Sequence, residues 1–459
     1  MIVDGIVLTY EELWSRALEA ASAIQEVTEV GSRVALLADN GVAYVTAYWG
    51  TLLAACTTVE ISPSLGDGEL GSQIESSDAA LVLASEDHLA RLEALGIDAT
   101  PGESLSGSRS ANEALPPISD EDLASIVHTS GTTGEVKGVC LSHHNLSAAT
   151  DAIVQSFESA SLGPGERFSG FLPLYYTYGK SILHVATALG APIVFTNRIP
   201  TPAALFSLLA EQSITHLSLV PFLANQLLQL PEFVSTGLPH LRRITIAGGA
   251  LHPEKLEDLV QRFPNAVMPM YGLTEASTRV TAMPPSELAK RPESCGRPIA
   301  GVELRIIDDE IHVRGPNVCQ GYFRDPALTA ETVKDGWLRT GDLGRIDDEG
   351  YLTIVGRLKE MIKVLGESVS AASVEAAIAE LPSVAEVAVT AMPDERSGEA
   401  IRAFVVPRSG EEVLKPEIRR HCATRLGKSR VPTEIHLVAA LPKSGSGKVR
   451  KHLLEPPTE

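Results

Sequence analysis

The sequence predicts an α/β protein. A large N-terminal domain, residues 1–355, is expected to hold doubly wound, mostly parallel sheets plus a small β-rich section, and a small α+β C-terminal domain, residues 356–459, to close the chain. Three observations predict it: apolar residues at helical spacing alternate with short β-branched runs, the texture shifts to closely spaced strands near residue 302, and the charge balance breaks near Gly356. Alternating helices and strands imply a parallel sheet covered on both faces. The first helix is expected over 10–25, where Leu13, Ala17, Leu18, Ala21 and Ile24 recur at helical spacing. Short β-rich runs follow at 34–38, 80–84 and 125–129, then at 192–196, 216–220 and 243–247, with helical patterns between them. The uncharged stretch 40–59 is interrupted by Asn, Thr, Tyr and Gly, so it reads as a buried helix plus a strand rather than a membrane span. Residues 100–122, rich in Ser, Gly and Pro, read as an exposed connection. Runs at 302–307, 310–313 and 351–355 make the β-rich section. The last segment reads as helix 372–381, strands 384–390 and 401–406, helix 416–426 and strand 434–438.

A chain of 459 residues with 44% apolar and 21% charged residues has the size for two or three domains and the composition of a globular protein. Its net charge of −20 disfavours polyanion partners, so nucleic-acid binding is not expected. Residues 356–459 carry 16 Lys+Arg against 14 Asp+Glu, which leaves 22 against 44 for residues 1–355. Cys56, Cys140, Cys295, Cys319 and Cys422 are odd in number and widely spaced, which fits buried thiols in a reducing compartment. The start, Met1-Ile2-Val3-Asp4, lacks a basic region followed by an apolar stretch, and a cytoplasmic location is expected.

The most informative stretch is Thr129-Ser130-Gly131-Thr132-Thr133-Gly134-Glu135-Val136-Lys137-Gly138. Glycines let backbone N–H groups turn toward an anion, four hydroxyls can donate to phosphate oxygens, and Lys137 supplies charge. The spacing is not that of a Walker A loop, and a Gly/Ser/Thr-rich surface loop is the bland reading of the stretch taken by itself. Five further motifs accompany it in order: Ala247-Gly248-Gly249-Ala250, Tyr271-Gly272-Leu273-Thr274-Glu275, Thr340-Gly341-Asp342, Gly356-Arg357-Leu358-Lys359-Glu360, and Pro442-Lys443-Ser444-Gly445-Ser446-Gly447-Lys448. With them the chain resembles, from about Leu8 to Leu454, the adenylate-forming superfamily of acyl-CoA synthetases, aryl-CoA ligases, peptide-synthetase adenylation domains and firefly luciferase.

The resemblance implies a ligase that turns a carboxylate and MgATP into an acyl-adenylate and pyrophosphate, then transfers the acyl group to a thiol. By motif position Lys448 is the catalytic lysine, a solvated surface lysine being its bland reading. Thr274 faces the α-phosphate and Glu275 holds Mg²⁺, against a helix-capping Thr/Glu pair. Asp342 and Arg357 correspond to ribose contacts, and Gly248, Gly249, Ala250, Tyr271 and Gly272 to the adenine shelf. Thr129, Ser130, Gly131, Thr132, Thr133, Gly134 and Lys137 cradle phosphate. Family members rotate the small C-terminal domain between half-reactions, which makes Lys359 the hinge and Gly366 the small residue beside the thiol tunnel. Ser370-Ala371-Ala372-Ser373 departs from the usual S-P-x-E there.

The acyl pocket is expected around Tyr175, Tyr176, Tyr178, Lys180 and Phe222. The tyrosines either line a tunnel or are core aromatics with satisfied hydroxyls. Residues 167–180 contain no acidic residue to bind an ammonium, which disfavours an α-amino acid. Lys180 is read either as a partner for a second substrate carboxylate or as a structural lysine. CoA is the leading acceptor. A carrier-protein phosphopantetheine, another nucleophile, or an inactive nucleotide-binding relative are the alternatives.

Overall fold

The computed structural model describes the chain except residues 4–5, 106–114, 131–135, 158–164, 197–200, 232, 234–237, 250, 365–366, 395, 409, 428–429, 444–448 and 457–459. The first helix, Tyr10–Val27, starts at a capping box in which Thr9 and Glu12 satisfy each other's backbone N–H, and it buries the five apolar residues that mark its periodicity. Strands Arg33–Leu37, Thr57–Glu60, Leu81–Ala84 and Leu123–Ser130 pair in parallel, because each is an apolar or β-branched run long enough to be buried on both faces. Helix Val42–Leu53 leads into Thr57–Glu60, the helix-plus-strand expected over 40–59.

A second sheet carries parallel strands Phe168–Gly170, Ile193–Phe195, His216–Leu219, Arg243–Ile246 and Val267–Tyr271, with antiparallel strands Thr281–Ala282 and Arg297–Pro298 at one end and Ile6–Val7 at the other edge. One apolar core runs from Met1 to Leu352 through this part of the chain. The β-rich section is an antiparallel sheet of Glu303–Ile307, Glu310–Arg314, Val333–Lys334, Trp337–Ile346 and Leu352–Arg357. A fourth sheet, Met361–Val364, Glu367–Ser370, Val384–Asp394, Gly398–Pro407 and Glu434–Leu437, packs on helices Ala371–Ala379 and Lys415–Leu426 around its own core, from Ile362 to Ile435. Sheet membership changes between Arg357 and Met361, two residues beyond the expected boundary. Among the described residues no helix is long and apolar enough to cross a membrane.

Candidate active site

The second sheet sets the geometry. Its parallel strands end together, and the motif residues follow those ends: Phe171 after Phe168–Gly170, Val220-Pro221-Phe222 after His216–Leu219, Gly248-Gly249 after Arg243–Ile246, and Tyr271 at the end of Val267–Tyr271. Ligands of open α/β sheets bind beyond the carboxyl ends of strands. Gly248 has φ +86°, and a Cβ on it or on Gly249 would stand 3.5 Å from Val220 or Pro221, so this turn lies close against the neighbouring one. Ala250 lies outside the described residues.

Asp342 is the electrostatic centre. In the antiparallel ladder it stands directly opposite Arg357, which puts the two side chains on one face. Arg357 Nε donates to Asp342 Oδ1 at 2.8 Å and the Tyr271 hydroxyl donates to Oδ2 at 2.7 Å, with Asp342 only 3% exposed. Burial, and then the Asp342 charge, holds Tyr271 well above the ordinary phenol range, so it stays a donor. Burial pulls the Arg357 guanidinium down, but Asp342 and Glu360 raise it on balance. The carboxylate oxygens keep lone pairs for further donors.

The turn Thr274–Ala276 presents Glu275, whose Oε1 accepts from the Tyr322 hydroxyl at 2.9 Å. Lys137 Nζ lies 5.8 Å from the centre of the Tyr322 ring, so Tyr322 joins the phosphate-loop strand to Glu275. Sequence reading missed this tyrosine, whose signal is weak because it stands in a two-residue strand, Gly321–Tyr322, added to the edge of the first sheet. Thr129 pairs with Lys137 and Ser130 with Val136 across an antiparallel hairpin. Gly131, Thr132, Thr133 and Gly134 lie outside the described residues, as do Gly366 and Lys448. Lys359 is exposed in the turn Leu358–Glu360, between the third and fourth sheets. Lys443 and Val449 pair in an isolated antiparallel bridge, and Lys443 Nζ lies 4.6 Å from the Phe222 ring centre.

The acyl-side residues divide. Tyr175 and Tyr176 have ring centroids 4.6 Å apart with their planes tilted by 56°, and Tyr178 donates to the Thr245 carbonyl at 3.1 Å. Of the two readings of Lys180, the structure favours the structural lysine over the partner for a second substrate carboxylate. It is 1% exposed, its Nζ is paired with Glu60, and it donates to Ser125 Oγ at 3.1 Å, so its charge is consumed internally. The Tyr44 hydroxyl also donates to Glu60. Sequence reading also missed Arg279 and His216. Arg279 is a charged residue inside the otherwise uncharged stretch 276–286, and that interruption is its signal.

Comparison with known proteins places this geometry. The model of the AMP-binding enzyme family matches residues 1–323, and that of the AMP-binding enzyme C-terminal domain matches residues 373–448. The chain belongs to the AMP-binding enzyme family. A feruloyl-CoA synthase of Amycolatopsis is 30% identical over 97% of the chain and 93% of that protein, and a 2-succinylbenzoate–CoA ligase of Bacillus velezensis is 30% identical over 99% and 94%. Among solved structures, the o-succinylbenzoate CoA synthetase of Bacillus subtilis with its acyl-adenylate intermediate superposes with TM-score 0.89 at 25% identity, covering 100% of this chain and 95% of that one. The amide bond synthetase McbA of Marinactinospora thermotolerans gives TM-score 0.87 at 28% identity, covering 98% and 94%.

Proposed function

We propose that the protein is an AMP-forming acyl- or aryl-CoA ligase. A carboxylate oxygen attacks the α-phosphorus of ATP and the bond to the β-phosphate oxygen breaks, releasing pyrophosphate. The thiol of CoA then attacks the acyl carbon, losing its proton, and AMP leaves. The observation that carries the reading is the buried Asp342, bonded to both Tyr271 and Arg357 beside the ends of the parallel strands, in a chain whose family is that of AMP-binding enzymes.

Asp342 and Arg357 bind the ribose hydroxyls, Gly248, Gly249, Ala250, Tyr271 and Gly272 form the adenine shelf, and Thr129, Ser130, Gly131, Thr132, Thr133, Gly134 and Lys137 cradle the phosphates. Thr274 donates to the α-phosphate. Among the described residues no three His, Cys, Asp or Glu side chains converge on a metal site. Glu275 with phosphate oxygens therefore fits Mg²⁺, a cation usually bound by one or two carboxylates and its substrate. When bound, Mg²⁺ supplies positive charge to the phosphates. Lys448 stabilises the charge that develops where two anions meet. The contact of Lys443 with Phe222 supports an orientation in which Lys443 faces the acyl side.

Residues 1–355 form the large domain and residues 356–459 a lid that turns about Lys359, with Gly366 lining the thiol tunnel. Tyr175, Tyr176, Tyr178 and Phe222 wall the acyl site. A second reading, an amine in place of the thiol, is favoured by the likeness to an amide bond synthetase. A carrier-protein phosphopantetheine is chemically equivalent to CoA as acceptor. Five free thiols support a reducing, cytoplasmic location.

The test is acid-dependent ATP–pyrophosphate exchange across fatty, aryl, dicarboxylic and amino acids, followed by turnover with CoA. Lys448→Ala is expected to abolish exchange while ATP binding persists, and Asp342→Ala to weaken ATP binding by about 2 kcal/mol. Exchange unchanged in Lys448→Ala overturns the role given to that lysine.

A further inference from the structure

Arg279 is a buried cation with no counter-ion among the described residues. It directly follows Ser277 and Thr278 and is 3% exposed. Its backbone is locked: Asn317 Nδ2 donates to the Arg279 carbonyl at 3.1 Å and to the Ala276 carbonyl at 3.0 Å, and Ser277 Oγ donates to the Asn317 carbonyl at 2.8 Å. The guanidinium donates from Nη1 to Ser156 Oγ at 3.1 Å and lies 5.6 Å from the centre of the Phe157 ring. Its Nε is buried without a hydrogen-bond partner, and among the described residues no carboxylate pairs with it. Burial lowers its pKa to about 10, against an opposing effect of Tyr178, so it remains charged at neutral pH. A desolvated, uncompensated charge is costly to keep, which is a reason to look for an anion supplied from outside.

The surroundings fit one. Arg279 lines a cavity of about 20 Å³ together with Arg243, His216, Ser218 and Thr245, and no Asp or Glu is among the described residues that line it. His216 Nε2 is a second buried polar atom there without a partner. The nearby buried carboxylate, Glu166, is engaged by Arg242 at 2.6 Å and lies 3.0 Å from His216 Nδ1. The space suits a water or two, the size of a carboxylate head rather than a whole acyl chain. Ile153 and Ser181 line this cavity and also a second one bounded by Thr177, Ser277 and Thr278, which adjoins the Thr274–Ala276 turn. Two small cavities that share Ile153 and Ser181 thus lie on the side of Arg279 that faces Ser277 and Thr278.

We infer that the acid this protein activates carries a second carboxylate, received by Arg279 at the far end of the acyl site. The inference rests on the adenylation reading and narrows its substrate class. A planar guanidinium offers two parallel N–H donors to a carboxylate, which a neutral acyl end cannot use.

Pyrophosphate exchange tests it with glutarate, adipate and terephthalate, each beside its monomethyl ester, in the wild type, Arg279→Met and Arg279→Lys. The wild type is expected to prefer at least one diacid over its own monoester by tenfold or more in kcat/KM. Arg279→Met should collapse that ratio at least tenfold, chiefly through KM. Arg279→Lys keeps a charge and should retain part of the preference, and it serves the comparison if the methionine variant does not fold. Monoesters handled as well as the diacids throughout, or a ratio unchanged in Arg279→Met, overturns the anion site and leaves adenylation standing. Exchange absent with every acid overturns the adenylation reading and this inference with it.

Discussion

Burying Lys180 against Glu60 takes two charges out of water, and their attraction repays that cost only because Tyr44, Thr58 and Ser125 satisfy the remaining donors and acceptors. The same network reaches His184, whose Nε2 is 2.8 Å from the Tyr48 hydroxyl. Burial, and then the Lys180 charge, pushes His184 down to about 3. Between its ordinary pKa near 6.5 and that value, the unfolded chain binds a proton that the folded one refuses. Stability is therefore unaffected above about pH 6.5 and falls as pH drops through the window, by about 1.4 kcal/mol per unit for this one group. Urea midpoints at pH 7 and pH 5 should show His184→Gln losing about 2 kcal/mol less than the wild type over that interval. Equal losses in both proteins would count against a neutral buried His184.

At the scale of elements, the loop after Val267–Tyr271 decides whether Thr274 and Glu275 are usable. A Cβ on Gly272 would stand 1.5 Å from the Thr278 carbonyl oxygen, and Ser277 and Thr278 hold φ values of +49° and +94°. The loop is folded tightly back on Gly272 and then handed to Arg279. Gly272→Ala is expected to push this turn away, costing about 1–3 kcal/mol of stability. Exchange activity should fall at least a hundredfold, because a misplaced positioning loop is magnified in rate. Retained exchange in a variant with an unchanged melting curve would show that the turn has room to spare. Much at this scale was legible beforehand: the helix Tyr10–Val27 and the parallel strands follow from periodicity. The return strand Val136–Ser142 was not, since Lys137 and Gly138 are poor strand formers and the strand exists by pairing with Leu123–Ser130.

Across the whole molecule, a core running from Met1 to Leu352 and a second from Ile362 to Ile435 form separate clusters, and side-chain contacts cross between the two parts of the chain. One of these contacts joins Lys443 to Phe222, with Lys443 also 2.7 Å from Glu386. A partly exposed cation–π contact contributes roughly 0.5–1 kcal/mol. If it helps hold the adenylating orientation, Lys443→Ala should slow pyrophosphate release about two- to fivefold. An equal slowing of acyl transfer from preformed adenylate would argue for general damage. The near-neutral charge of residues 356–459, against the strongly acidic remainder, suits the proposed lid, which would approach ATP and CoA.

The order of motifs along the chain was enough to place it among adenylate-forming enzymes, and it is that resemblance which puts Asp342, Arg357, Glu275 and Lys448 forward for the site. Strand and helix alternation likewise follows from local periodicity. Tertiary structure decided what long-range pairing controls. Lys180 looked available until Glu60, 120 residues away, was seen beside it. The burial of Arg279, with no carboxylate paired to it among the described residues, is visible only in the fold. A charge's availability depends on what folding brings within a few ångströms of it, and that is a property of packing rather than of sequence neighbours.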